Sequence, residues 1–117
     1  MRFSRAYPSF RIANGQSLFR EGAWGNSMYL LIDGRAEVSA HEHLVEVLLP
    51  GTLIGEASLL TPGPRPVTVT ARTSCEFIEI TEQAFYAIIR DTPEFAAFVM
   101  RVLAKRLQSA ALQADIP

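Results

Sequence analysis

Up to Ile80 this chain is a succession of short strand-like runs cut by glycine and proline, and after Thr81 the punctuation thins and the apolar period lengthens. The runs are Phe10–Ile12, Ser17–Phe19, Met28–Ile32, Ala36–Ser39 and Leu44–Leu49, then Val67–Arg72 and Glu76–Ile80. Asn14-Gly15, Asp33-Gly34 and Pro50-Gly51 separate them, and each is a turn signal with a mechanism: glycine takes positive φ and proline presets a corner. Val67-Thr68-Val69-Thr70-Ala71 alternates apolar and polar residues, the period of a half-buried strand. Many short strands with regular turns predict a roll or barrel. The last third predicts helices. Thr81 caps a helix over 82–90 with Phe85, Ile88 and Ile89 on one face. Thr92 caps a second over 93–113, with Pro93 at its first position and Glu94 in its first turn. Residues 1–9 read as a lead-in segment, and 10–117 as one domain made of a roll over 10–80 and the two helices.

The 117 residues are enough for one domain with a real core, and an apolar fraction of 49% excludes a disordered chain. A net charge of −1 gives no electrostatic argument for nucleic acid or an anionic membrane. No apolar run is long enough to span a bilayer, and Met1-Arg2-Phe3-Ser4-Arg5 lacks the apolar core of a signal peptide, so a cytoplasmic location is expected. The single cysteine, Cys75, cannot form an internal disulfide and reads as a buried inert thiol.

Between the strand-like runs lies Gly55-Glu56-Ala57-Ser58-Leu59-Leu60, followed by Arg65-Pro66-Val67. The glycine admits close backbone approach, and the small residues let amide donors face a phosphate at the start of a helical turn. Arg65 offers a rigid fork of donors that fits two phosphate oxygens. Glu56 can accept hydrogen bonds from hydroxyls such as those of a ribose. These are the parts that a small, doubly polar ligand needs.

Together with Phe19-Arg20-Glu21-Gly22, the run Gly25-Asn26-Ser27-Met28-Tyr29-Leu30-Leu31-Ile32-Asp33-Gly34 and Pro50-Gly51-Thr52-Leu53-Ile54-Gly55-Glu56, this pattern resembles the cyclic nucleotide-binding domain family. The resemblance runs from about Phe10 to Gln108. It implies a mostly β fold with C-terminal helices: a β-roll of about eight strands in jelly-roll order, a short phosphate-binding helix at Gly55–Leu60, and two helices behind it. It implies that Glu56 accepts the ribose 2′-hydroxyl, that Arg65 pairs with the cyclic phosphate, and that Gly55, Ala57 and Ser58 supply backbone contacts, with Pro66 and Val67 beside them. Leu59 matches the position that relays binding to the helices, and Phe85, Ile88 and Ile89 are its expected neighbours. Pro66 departs from the family, which places alanine, serine or threonine there; it removes an amide donor and the hydroxyl that cGMP-selective members use, so cAMP is expected ahead of cGMP.

The expected function is therefore a regulatory sensor for a cyclic nucleotide, not an enzyme, with no catalytic residues, metal or cofactor. The family's N-terminal helices and an output segment are not found in the sequence, so a separate effector protein is the expected partner, with no direct contact to nucleic acid or membrane. In the last helix, pairs such as Val102 with Ser109 or Val99 with Arg106 are candidates to meet a twin helix in a homodimer. Arg101, Lys105 and Arg106 are unranked candidates to cap the base, against the plainer reading of solvated charges.

Two other readings compete. One is a domain that keeps the roll, has lost the nucleotide and binds protein. The other is a small metal-binding cupin using His41, His43 and Glu46, although only two residues separate His43 from Glu46, one fewer than that pattern wants, and His41–His43 reads as an exposed hairpin turn. Trp24 reads equally as core cover or as part of an exposed patch.

Overall fold

The computed structural model describes residues 7–114, and side chains as far as Ser109. Ten strands and three helices follow one another among them: β1 (Ser9–Ile12), β2 (Ser17–Phe19), β3 (Trp24–Gly25), β4 (Ser27–Asp33), β5 (Ala36–Ala40), β6 (His43–Leu48), β7 (Leu53–Ile54), α1 (Glu56–Leu60), β8 (Gly63–Pro64), β9 (Thr68–Ala71), β10 (Cys75–Thr81), α2 (Glu82–Asp91) and α3 (Glu94–Ala114). All pairings are antiparallel. One sheet has the order β1-β10-β4-β7, the second β2-β9-β5-β6, and β3 with β8 forms a small ribbon. This is the expected β-roll with C-terminal helices.

The alternation of side chains in β4 and β10 explains the layering. Met28, Leu30, Ile78 and Ile80 face one side and join Leu59, Phe85, Ile88, Phe95 and Val99 in a core shared with the helices. Leu31, Cys75 and Phe77 face the other side and meet Ala36, Val38, Val69 and Ala71 of the second sheet. The centre of the first sheet is thus buried on both faces, which is why β4 carries the unbroken apolar run Met28–Ile32, while β1 at the sheet's edge stays largely exposed. Truncating a fully buried ring such as Phe77 to alanine costs about 3–5 kcal/mol in sites of this kind. The Cys75 thiol is buried there, with Sγ 3.2 Å from the Arg35 carbonyl.

Several expected boundaries move for physical reasons. β1 begins at Ser9, inside the expected lead-in; residues 1–6 lie outside the described residues. β9 begins at Thr68 rather than Val67, because the chain still bends through Pro66-Val67 and the pairing with β5 starts at Ser39 opposite Thr68. β6 covers His43–Leu48 rather than Leu44–Leu49, because Leu49 belongs to the turn at Pro50-Gly51, where the Thr52 amide donates to its carbonyl at 3.2 Å. The hairpin turn is therefore only His41-Glu42, with φ of 52° and 69°; a two-residue loop between twisted strands demands positive φ at both positions, even without glycine. The two-residue strands β3, β7 and β8 are too short to leave a period in the sequence. α2 extends to Asp91, and Thr81 caps it as expected, its side chain accepting from the Ala84 amide at 3.1 Å. α3 begins at Glu94, one residue after Pro93, and runs to Ala114.

Candidate functional site

A cavity of about 980 Å³ opens between α1, the Arg65 loop, β6 and α3. That is the size of a pocket for a small organic ligand. Gly55, Glu56, Ala57, Ser58, Arg65, Pro66 and Val67 all line it, so every expected ligand contact reaches one place.

Arg65 is fixed from the backbone outward. Its amide donates to the Ala23 carbonyl at 2.7 Å and its carbonyl accepts from the Gly22 amide at 2.8 Å, while β8 just before it pairs with β3. Its side chain then turns inward and is only 4% exposed. Nη1 donates to the Ser27 carbonyl at 2.7 Å, and Nη2 lies 3.5 Å from Ser27 Oγ. The guanidinium lies over the Phe19 ring, 4.3 Å from its centroid, with Tyr29 at 5.7 Å, an arrangement in which the ring faces attract the cation. Two glycines clear the space. A Cβ on Gly25 would lie 2.0 Å from Arg65 Nε, and one on Gly55 would lie 2.7 Å from Nη1. Gly55 also has φ 86°, so glycine is needed there on both counts. Burial pushes the Arg65 pKa below the usual arginine value, with the nearby Tyr29 and Glu79 opposing that shift; at neutral pH the group remains a cation.

Glu56 opens α1 and is 5% exposed. A buried carboxylate needs partners. It has one: Oε1 accepts from Arg106 Nη1, while Oε2 has no hydrogen-bond partner among the described residues. Arg106 comes from α3. Its Nη2 donates to the Leu53 carbonyl at 2.7 Å and to Glu46 Oε2 at 3.2 Å, and its Nε lies 3.4 Å from Glu46 Oε1. Burial alone would lower the Arg106 pKa, but its hydrogen bond to Glu46 and the charge of Glu56 outweigh that and leave it raised.

The remaining expectations fall around this centre. Ala57 is exposed and Ser58 buried, with the Ser58 amide donating to the Gly55 carbonyl at 3.1 Å inside the turn; the first-turn amides of Glu56 and Ala57 have no earlier helical carbonyl to bond. Pro66 sits exposed at the rim. Leu59 points away from the cavity into the core shared with Phe85 and Ile88, and Ile89 packs against that core.

α3 corrects two expectations. Val99, Val102 and Arg106 turn toward the roll: Val99 is buried, Val102 packs against the same core and Arg106 lines the cavity, while the exposed Ser109 stands at the cavity's rim. Of the three basic candidates, Arg106 enters the site, Lys105 stands at its rim, and Arg101 is exposed and does not line it. Arg106 is therefore not a solvated charge; its side chain is 26% exposed. Among the described side chains of α3, the large apolar residues that are exposed are Met100 and Leu107. Glu46, weighed as a metal ligand, is bound to Arg106 instead. Among the described residues no three His, Cys, Asp or Glu side chains come together to hold a metal. Trp24 is 70% exposed, which settles it as surface. No helix of the described residues is long and apolar enough to cross a membrane.

Sequence reasoning missed Phe19, Gly25, Ser27 and Tyr29 as the seat of Arg65, and Glu46 as the partner of Arg106. Gly25 serves a close approach to the Arg65 side chain rather than a positive φ, and only the fold shows that.

Comparison with known proteins points the same way. A family model described as the cyclic nucleotide-binding domain matches residues 10–92. A CRP-like cAMP-activated global transcriptional regulator of Mycobacterium tuberculosis is 31% identical over 99 residues, covering 80% of this chain and 44% of that protein. The cyclic AMP receptor protein of Thermus thermophilus is 32% identical over 117 residues, covering 96% of this chain and 52% of that protein. The crystal structure of the Thermus thermophilus catabolite activator protein superposes with a TM-score of 0.86 at 28% identity, covering 96% of this chain and 55% of that one. The chain spans about half the length of these relatives. With a buried arginine and a buried glutamate facing one cavity on a β-roll, and the family model matching across both, the chain belongs to the cyclic nucleotide-binding domain family.

Proposed function

We propose that this domain is a regulatory sensor whose ligand is cAMP in preference to cGMP, and that it acts by binding and not by catalysis. The observation that carries this reading is the pair of buried groups in one cavity: the Arg65 guanidinium, seated on Ser27 and Phe19, and Glu56 with one oxygen unpaired. The first suits a cyclic phosphate, an anion that accepts from a planar fork of donors. The second suits a ribose hydroxyl, a donor that would fill the open position on Glu56. Pro66 supplies no hydroxyl at the rim for a guanine amino group, which favours adenine, and the names of the two relatives specify cAMP. Ligand closing on α1 would press Leu59 against Phe85 and Ile88 and so bias α2 and α3. Such a shift needs only that the nucleotide favour one arrangement of the helices over the other.

The transcriptional role in the name of the Mycobacterium tuberculosis relative belongs to a protein about twice as long as the shared stretch, and a net charge of −1 gives this domain no electrostatic attraction for nucleic acid. Output through another protein or through a second copy of α3, where Met100 and Leu107 are exposed seven residues apart, is part of the proposal. A protein-interaction domain that no longer binds nucleotide is the second reading, favoured by the Arg106 contact that already occupies one oxygen of Glu56. Calorimetric titration decides between them. The sensor reading expects saturable heat at one nucleotide per chain, with cAMP tighter than cGMP; no heat with either nucleotide supports the interaction domain.

A further inference from the structure

Glu46 is a charged residue of the cavity that the expected ligand contacts leave without a role. It lies on β6 opposite Val38, half-buried, between the exposed Val45 and Val47. Both of its oxygens are turned to Arg106, at 3.4 Å from Nε and 3.2 Å from Nη2. That is the side-on fork by which a guanidinium holds a carboxylate through two bonds. Arg106 is left with its Nη1 edge for Glu56 Oε1, so one guanidinium serves two carboxylates. The division is uneven in a useful way. Glu46, which is partly solvated, receives the fork, while the buried Glu56 receives a single contact and keeps Oε2 unpaired. Without Glu46, the Nε–Nη2 edge of Arg106 would keep only the neutral Leu53 carbonyl, which Nη2 meets at 2.7 Å, and bidentate closure on both oxygens of Glu56 would become the best charge-assisted arrangement open to Arg106.

We propose that Glu46 is a specificity-determining positioning residue: by holding Arg106 side-on, it keeps Oε2 of Glu56 available to a ligand hydroxyl. This rests on the nucleotide reading above. Preference for a ribose over a deoxyribose then depends on a residue of β6 that acts through Arg106 and Glu56.

The test is calorimetric titration of wild type, Glu46→Ala and Glu46→Gln with cAMP and with its 2′-deoxy analogue, which lacks the hydroxyl. Wild type is expected to prefer cAMP by roughly tenfold or more, the worth of a hydrogen bond to a charged group. In Glu46→Ala the preference falls close to one, through loss of cAMP affinity, while affinity for the 2′-deoxy analogue stays within about twofold because a partly exposed charge contributes little by itself. Glu46→Gln keeps the side-chain shape but not the charge and falls between the two. A Glu46→Ala protein that keeps the wild-type preference overturns the assignment and leaves the nucleotide reading standing. Parallel loss of both ligands overturns it too, because Glu46 would then only be structural. If wild type binds neither compound, the nucleotide reading fails and this assignment with it.

Discussion

The two arginines of the cavity are held in opposite ways. Arg65 is anchored by one stretch of backbone and by fixed groups of the roll: the Ser27 carbonyl, the Phe19 ring, and the space left by Gly25 and Gly55. Arg106 is anchored by carboxylates and a carbonyl from three different places, Glu46 on β6, Leu53 on β7 and Glu56 on α1, and it is brought there by a helix packed on the outside of the roll. The difference teaches where preorganisation lies. The Arg65 end can be complete before any ligand arrives, because nothing in its seat belongs to α3. The Arg106 end exists only while α3 lies against the roll, so a ligand that touches Glu56 also senses the position of that helix.

If that division is right, the largest effects come from the Arg65 end and appear in binding. Arg65→Ala should weaken cAMP by roughly tenfold to a hundredfold, the loss of a charge-assisted, two-point contact, as read by calorimetry. The fold should remain, because the backbone bonds of residue 65 to Ala23 and Gly22 do not need the side chain. Gly25→Ala sharpens the point by leaving the arginine in place. Its new Cβ would overlap Nε and Cζ and push the guanidinium off its seat, while the backbone bonds of residue 65 stay, so the domain should remain folded with a lowered unfolding midpoint while cAMP affinity drops by roughly tenfold. Normal affinity in Gly25→Ala would break the claim that the seat is what matters.

Arg106→Ala probes the other end, and its first effect should be on stability. It leaves the buried Glu56 carboxylate without the one partner it has, at a cost of about 1–3 kcal/mol, discounted from a fully buried pair because Arg106 is partly exposed. Urea unfolding with a lowered midpoint and an unchanged slope would show this. Replacing Glu56 with glutamine in the same protein should restore most of the loss, since the uncompensated charge is gone.

Much of this was readable beforehand where a residue's chemistry and its neighbours in sequence suffice. Gly55, Glu56 and Arg65 carry unusual residue types into a short excursion, and they meet in space because α1 and β8 are joined by a short connection. Thr81 at a change of period marked the start of α2 for a similarly local reason. The parts that were not legible are long-range. Glu46 and Arg106 are sixty residues apart, and only the packing of α3 across the edge of the roll brings them together. The expectation that Val99 and Arg106 face a twin helix failed because helical spacing says which residues share a face, not what that face meets. The seat of Arg65 was hidden for the same reason: Phe19, Ser27 and Tyr29 look like ordinary strand residues until the roll closes.

The most direct measurement is a crystal structure of this chain with cAMP bound. The account predicts the cyclic phosphate on the Arg65 guanidinium and the 2′-hydroxyl on Glu56 Oε2, with Arg106 still forked on Glu46. A nucleotide bound with its phosphate away from Arg65, or with Glu56 still closed off by Arg106 and no hydroxyl upon it, would contradict it.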